Sequence, residues 1–332
     1  MNFQRTAILG AGGWGTALAV TWANRGNQIT LWGHNAERVA RLQASRENAD
    51  YLPGVNLLET ISVTSNLADC SEADLVVFVT PSVAVREIAE NLRVHLANNA
   101  VLLSCTKGIE HGSGKRMTEV LSEKLPGHTV AVLSGPNLAV EVSRDLPTAT
   151  VLGCEDSACA EELQRYLGGS RFRIYTNNET VGIELGGALK NVFAIPAGVS
   201  DGFGLGDNSK AALVTRALAE LVRLGIAMGG NARTFYGLSG AGDLVATCFS
   251  QHSRNRRVGE ELGRGRKLEE ITASMQMVAE GIPTTKSAYE CARRLNIETP
   301  IIDQVYAVLY EGKPPARALQ ELLDRDQKSE EH

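Results

Sequence analysis

The segment Gly186-Gly187-Ala188-Leu189-Lys190-Asn191-Val192-Phe193-Ala194 sets one amine among small and apolar residues. If it is helical, Lys190 shares a face with Gly186, Gly187 and Ala194, because residues three and four apart are neighbours. Such a stripe lets another body come close. Two glycines inside a helix cost roughly 1 kcal/mol each relative to alanine, and close approach offsets that cost. The residues alone leave two readings open: a lysine that meets a ligand, or tight helix packing with Lys190 reaching solvent.

Other segments carry groups that suit a small phosphate ester. Lys107, in Thr106-Lys107-Gly108, follows an apolar strand-like run, where a cation faces whatever binds at the strand ends. Otherwise it is a solvated surface lysine. Pro81-Ser82 and Ser134-Gly135-Pro136-Asn137 also leave strand-like runs at that edge. Gly237-Leu238-Ser239-Gly240-Ala241-Gly242-Asp243 bends a loop before the next apolar stretch. Asp243 is either a helix cap or the partner of a buried lysine, and Thr247 lies one turn on. In Ser253-Arg254-Asn255-Arg256-Arg257, charge and hydrogen-bond donors coincide with a helix start, a combination that suits a phosphate. The patch is short and lacks interleaved aromatics, which argues against nucleic acid.

The elements that position these groups are legible as patterns. Ala7-Ile8-Leu9, Ile29-Thr30-Leu31-Trp32, Ile61-Ser62-Val63, Leu75-Val76-Val77-Phe78-Val79, Val101-Leu102-Leu103 and Val130-Ala131-Val132-Leu133 read as buried strands. Helical patterns, such as 15–24 and 85–96, lie between them. The alternation predicts an α/β fold with a Rossmann-type, doubly wound, mostly parallel sheet. Runs at 148–152 and 172–175 extend the sheet at its far edge. Helical patterns then take over at 179–194, 209–228, 284–295 and 301–310, predicting an all-helical C-terminal domain. The expected division is a dinucleotide-binding domain over 1–182, a helical substrate domain over 183–325, and a frayed tail over 326–332.

Gly10-Ala11-Gly12-Gly13-Trp14-Gly15 directly follows the first strand and opens a helix, the context that gives G-x-G-x-x-G its meaning. Gly10 permits the turn, Gly12 lets the backbone approach a pyrophosphate, and Gly15 lets helix and strand pack closely. Gly13 and Trp14 lie between them, where the helix N-terminus favours phosphate. The second strand ends Trp32-Gly33-His34-Asn35 with no carboxylate to bind a ribose 2′-hydroxyl, and Arg38 follows. NADP or NAD is therefore expected, with NADPH favoured and His34 and Arg38 near the adenosine end. The alternative leaves both as surface residues.

Bulk properties narrow the class. Thirty-three Lys and Arg against 38 Asp and Glu give a net charge of -5, which argues against a polyanionic partner. The six cysteines form no Cys-x-x-Cys pair and have no histidine at metal-ligand spacing, so reduced core thiols and no metal are expected. No signal-peptide pattern and no membrane-length apolar stretch is visible, so the expectation is a cytoplasmic protein with no membrane insertion.

Taken together, these segments resemble the NAD(P)-dependent glycerol-3-phosphate dehydrogenases of the bacterial soluble type, over nearly the whole chain. The resemblance rests on the glycine motif with Thr16-Ala17, Leu31-Trp32-Gly33-His34, Thr106-Lys107-Gly108, Ser134-Gly135-Pro136, Gly187-Ala188-Leu189-Lys190-Asn191, Gly240-Ala241-Gly242-Asp243 and Ser253-Arg254-Asn255-Arg256. It implies reversible hydride transfer between NAD(P)H and dihydroxyacetone phosphate, giving sn-glycerol 3-phosphate for glycerophospholipid synthesis. It makes Lys190 the catalytic proton carrier. Ser253, Arg254, Asn255, Lys107 and Gly135 become substrate contacts, with Asn191, Asp243 and Thr247 beside them. Trp14, His34, Ala139, Lys107 and Arg254 fall to the cofactor site, and Val278 and Glu280 to a segment that closes over it. Many relatives carry Thr or Ser where this chain has Asn137; an amide still donates and accepts hydrogen bonds, so Asn137 stays a substrate contact. A homodimer is a family-level expectation. The rivals are another two-domain dehydrogenase, of 6-phosphogluconate or ketopantoate type, and a non-catalytic redox sensor.

Overall fold

The computed structural model describes residues 3–326 and Ser329; the rest of the tail expected to fray lies outside the described residues. Eight strands form one sheet: β1 (Arg5–Leu9), β2 (Gln28–Trp32), β3 (Ile61–Thr64), β4 (Leu75–Phe78), β5 (Val101–Ser104), β6 (Val130–Ser134), β7 (Thr148–Cys154) and β8 (Phe172–Asn177). Their order is β3-β2-β1-β4-β5-β6-β7-β8. The six strands β1 to β6 are parallel, as their near-continuous apolar runs predict. β7 pairs antiparallel with β6 and parallel with β8, so the last two strands extend the sheet while running the opposite way. β8 alternates buried and exposed residues, as an edge strand with one wet face does.

Helices α1 (Gly13–Ala23), α2 (Ala36–Ser45), α3 (Val85–Leu92), α4 (Met117–Lys124), α5 (Ala139–Ser143) and α6 (Ser157–Leu167) flank the sheet. One face packs Ile8, Leu18, Trp22, Leu31, Val77 and Leu103 into a core. The other packs Leu9, Val76, Phe78, Leu102 and Leu121. Strand order reverses beside β1, between β2 and β4. In open α/β sheets ligands bind beyond the strand C-termini at such a switch point.

Beyond β8 the chain is helical: α7 (Thr180–Phe203), α8 (Gly206–Ala227), α9 (Ala232–Phe235), α10 (Asp243–Phe249), α11 (Arg254–Gly263), α12 (Leu268–Ala273), α13 (Gly281–Arg294), α14 (Pro300–Tyr310) and α15 (Pro315–Leu323). α7 runs nine residues past the expected 179–194 pattern and holds Pro196 inside it. Its first turns lie on the sheet, where Ile183 packs on Val132 and Val151. From Leu185 onward it is the spine of the second core, with Leu189, Phe193, Leu221, Leu244, Val258 and Ile302 around it.

Pairing of α7 with α11 explains the glycines along this spine. A Cβ on Gly198 would lie 1.8 Å from the Arg256 carbonyl oxygen, and one on Gly259 would lie 1.8 Å from that of Ile195. Gly202 and Gly263 meet one turn further along, so two helices of the same sense cross almost backbone to backbone. Alanine favours an isolated helix over glycine by about 1 kcal/mol. Here the order inverts. Gly259→Ala is expected to destabilise the protein by about 1–3 kcal/mol through overpacking, read as a lower urea midpoint with an unchanged slope; a rise in the midpoint would contradict the packing account.

Candidate active site

The glycine turn after β1 has the geometry that a dinucleotide requires. Gly10 has φ +130, and a Cβ there would stand 2.8 Å from the Val79 carbonyl oxygen. The Gly15 position is closed by the Gly10 carbonyl at 1.9 Å, whereas a Cβ on Gly12 would meet nothing within 4 Å. α1 therefore packs tightly on β1 while its N-terminus faces open space with no side-chain cap and no acidic residue in its first turn. Such an end attracts phosphate. A Cβ on Gly13 would press on the Tyr51 carbonyl at 2.9 Å, and Trp14 packs on the first core. Asn48 braces the turn, donating to the Ala11 carbonyl at 3.0 Å and to Thr16 Oγ1 at 2.7 Å. No sequence signal marked Asn48, which lies in an irregular stretch far along the chain.

His34 is exposed just after β2. Arg38, in the first turn of α2, bonds the Tyr51 hydroxyl and stacks its guanidinium over that ring, with Asn35 capping the helix. Ala139 opens α5, which packs against α1.

At the other side of the cleft two lysines share one carboxylate. Lys107 Nζ donates to Asp243 Oδ2 and, at 3.1 Å, to the Gly135 carbonyl. Lys190 Nζ donates to Asp243 Oδ1 at 2.9 Å and to Thr247 Oγ1 at 2.6 Å. Of the two readings of Asp243, the lysine partner is the one observed, since the capping position belongs to Gly242. A π-helical turn, Leu238–Gly242, delivers Asp243 to this place, and one helical turn on α10 sets Thr247 beside it. Burial is the largest influence on Lys190 and lowers its pKa; Asp243 opposes that shift and Lys107 adds to it, leaving Lys190 at about 8. An amine so tuned exchanges a proton near neutral pH.

The small-residue stripe on α7 is filled by the chain itself. A Cβ on Gly186 would strike the Ser239 carbonyl at 2.7 Å, and one on Gly187 would strike Ser134 Oγ at 2.3 Å, with Lys107 Cδ at 3.8 Å. The stripe thus brings Lys107 and the π-turn onto the helix that carries Lys190. Ser134 Oγ and Asn137 Oδ1 are buried without a hydrogen-bond partner among the described residues, while Asn137 Nδ2 donates to Thr150 Oγ1 at 2.9 Å.

α11 supplies the third wall. Ser253 caps it, accepting from the Arg256 N–H at 3.2 Å. Asn255 donates to Asn191 Oδ1 at 2.9 Å and accepts from the Gly281 N–H at 2.9 Å, so it fixes Asn191 next to Lys190. Arg254 donates to the Val278 carbonyl at 2.7 Å. Glu280 crosses to the first domain, accepting from Ser82 N at 3.0 Å and Ser82 Oγ at 2.7 Å. Burial raises the Glu280 pKa, against the Ser82 bonds and the nearby Arg254 charge. The Gly-x-x-x-Gly pairs at 198–202 and 259–263 were legible signals for the α7–α11 contact that carries Asn255 to Asn191.

A Rossmann-type sheet, an uncapped helix end at its switch point and a tuned lysine on the adjoining helical domain define a two-domain dinucleotide-dependent dehydrogenase. Residues 5–160 match the N-terminus of NAD-dependent glycerol-3-phosphate dehydrogenase and residues 179–320 match its C-terminus. The chain belongs to the NAD-dependent glycerol-3-phosphate dehydrogenase family. It is 47% identical to the glycerol-3-phosphate dehydrogenase [NAD(P)+] of Desulfitobacterium hafniense over 98% of this chain and 93% of that protein. It is 48% identical to that of Chlorobium limicola over 98% of each. The crystal structure of glycerol-3-phosphate dehydrogenase from Coxiella burnetii superposes with a TM-score of 0.94 at 39% identity, covering 97% of this chain and 99% of that one.

Removing the charge that the two lysines share has a signed consequence. Asp243→Asn leaves two largely buried ammonium groups without a counter-charge and is expected to destabilise the fold by about 3–5 kcal/mol at pH 7. Without Asp243 the folded-state pKa of Lys190 falls further below its unfolded value. Above it the folded protein has released a proton that the unfolded chain still holds, so stability rises with pH there. Urea titrations at pH 7 and pH 9 should show part of the loss recovered at the higher pH; equal losses would contradict the shared-charge account.

Proposed function

We propose that this chain is a glycerol-3-phosphate dehydrogenase that interconverts dihydroxyacetone phosphate and sn-glycerol 3-phosphate with NADP or NAD, and so supplies glycerophospholipid synthesis. The observation that carries the reading is Lys190, buried and tuned toward neutral pH by burial and Lys107, in a chain whose glycine turn and uncapped α1 N-terminus suit a dinucleotide. A bound reduced nicotinamide supplies the hydride. As the carbonyl carbon accepts it, the C=O π pair moves to oxygen. Lys190 Nζ–H gives that oxygen a proton, and the neutral amine regains one from water. Run backward, neutral Lys190 takes the hydroxyl proton.

The remaining residues position the reactants. Lys107, Gly135, Asn137, Asn191, Thr247 and Asn255 line the substrate side. Asp243 orients both lysines. Ser253 and Arg254 at the α11 N-terminus suit the phosphate, whose distant binding energy aligns the reacting carbon. Gly10, Gly12, Gly13, Trp14 and Gly15 receive the pyrophosphate, with Ala139 beside α1. Val278 and Glu280 close over the cofactor. His34 and Arg38 lie where the second strand offers no carboxylate, which supports use of the 2′-phosphorylated cofactor. Six buried free cysteines, and the lack of any helix long and apolar enough to cross a membrane among the described residues, support a cytoplasmic enzyme. A homodimer is proposed from the family alone.

The deciding assay is NADPH oxidation on adding dihydroxyacetone phosphate. Lys190→Ala should lose most kcat while still binding NADPH; near-normal turnover would remove Lys190 from the chemistry, and cofactor binding without turnover by the wild type would mark a sensor. Glycerol phosphate oxidation should rise through about pH 8 and the reduction fall above it, as Lys190 loses its proton. Arg38→Ala should weaken NADPH more than NADH in a fluorescence titration; equal effects on both would free Arg38 from the 2′-phosphate.

A further inference from the structure

Glu184 is buried on α7 and takes no part in the mechanism above. It accepts from the Thr118 N–H at 2.9 Å, from the Thr118 hydroxyl, and from Arg116 Nη1 at 2.7 Å. These two partners end the excursion that begins at Lys107. That excursion is closed on itself: Ile109 bridges to Arg116, and Glu110 N–H donates to the Lys115 carbonyl at 2.9 Å. Arg86 clamps its outer side through a two-pronged contact to Glu110 at 2.7 and 2.8 Å. On α7, Glu184 and Gly187 are three residues apart and share a face, and Gly187 is where the Lys107 stem lies against the helix.

We propose that Glu184 is a positioning residue that ties the Lys107 loop to the helix carrying Lys190, and so sets how Asp243 is shared between the two lysines. The claim rests on the functional reading above. A carboxylate buried to this degree is costly unless every lone pair is used. Glu184 meets that cost with the guanidinium of Arg116, which ends the loop, and the amide and hydroxyl of Thr118 in the first turn of α4, contacts that join the helical domain to the sheet domain. Burial raises its pKa and Arg116 opposes that shift.

The charged and titratable groups acting on Lys190 are Asp243 and Cys248 from α10 and Lys107 from this loop. If the loop loosens, Lys107 moves off Asp243. Lys190 then loses a repelling neighbour and gains the whole carboxylate, and its pKa rises. In the oxidation direction the neutral amine is needed, so the activity limb should move to higher pH.

The test uses the full-length enzyme, with Glu184→Ala, Glu184→Gln and a control, Glu220→Gln. Glu220 is also buried but lies at the start of α14, accepting from the N–H groups of Ile301 and Ile302 at 2.9 and 2.8 Å. Glu184→Ala should lower kcat by about tenfold or more, raise KM for dihydroxyacetone phosphate, move the oxidation limb to higher pH, and weaken NADPH binding by a smaller factor than it raises that KM, since the glycine turn is untouched. Glu184→Gln keeps an oxygen for the Thr118 N–H and should fall between; it also serves if the alanine variant does not fold. Glu220→Gln should lower Tm without moving the limb. An unmoved limb in both Glu184 variants, or an equal shift in the control, overturns the proposal. Hydrogen exchange decides the anchor without turnover: residues 105–116 should exchange faster in Glu184→Gln, and unchanged exchange there overturns it. Lack of turnover in the wild type would instead overturn the functional reading.

Discussion

One carboxylate shared by two ammonium groups governs this molecule. Asp243 meets Lys107 with one oxygen and Lys190 with the other, and none of the three charges is well solvated. Two cations brought this close repel, and burial disfavours each of them. Asp243 makes the arrangement affordable, yet one negative charge cannot neutralise two positive ones. That imbalance suits proton transfer, because Lys190 holds its proton less firmly than a solvated lysine does.

Much of the tertiary structure serves to bring those three residues from distant parts of the chain to one point. Lys107 arrives on a loop after β5, Lys190 on the long helix that leaves the sheet, and Asp243 at the end of a π-turn. The small residues on α7 make this convergence steric as well as electrostatic. Ser134 and the Lys107 stem fit against Gly187, and the Ser239–Gly240 backbone fits against Gly186. A larger side chain at either glycine would push one partner of the charge cluster away. Further along α7, the crossing with α11 fixes the helix whose N-terminus carries Ser253, Arg254 and Asn255. Asn191 and Asn255, bonded side chain to side chain, lie on the same seam.

The two domains touch through polar contacts of different kinds. Glu184 is buried, and its partners are the buried Thr118 and the partly exposed Arg116. Glu280 is bonded to Ser82 and close to Arg254, in a segment that includes the exposed Val278.

The alternation of apolar strands with helical patterns determined the layered sheet, because period and length are local properties of a chain. The glycine turn was legible for the same reason: strand, turn and helix are contiguous in sequence, and Gly10 needs a backbone that only glycine adopts without strain. Lys107, Lys190, Asp243 and Thr247 could be singled out as candidates, but whether Lys190 meets a ligand or reaches solvent beside tightly packed helices was open. Tertiary structure buries Lys190 and sets its pKa, which depends on burial and on charges more than fifty residues away in sequence. It likewise decided what fills the small-residue stripe, that β7 and β8 reverse direction, and which partners Glu184, Asn48 and Ser82 meet. A buried carboxylate has no local signature; its meaning lies in the partners that folding brings to it.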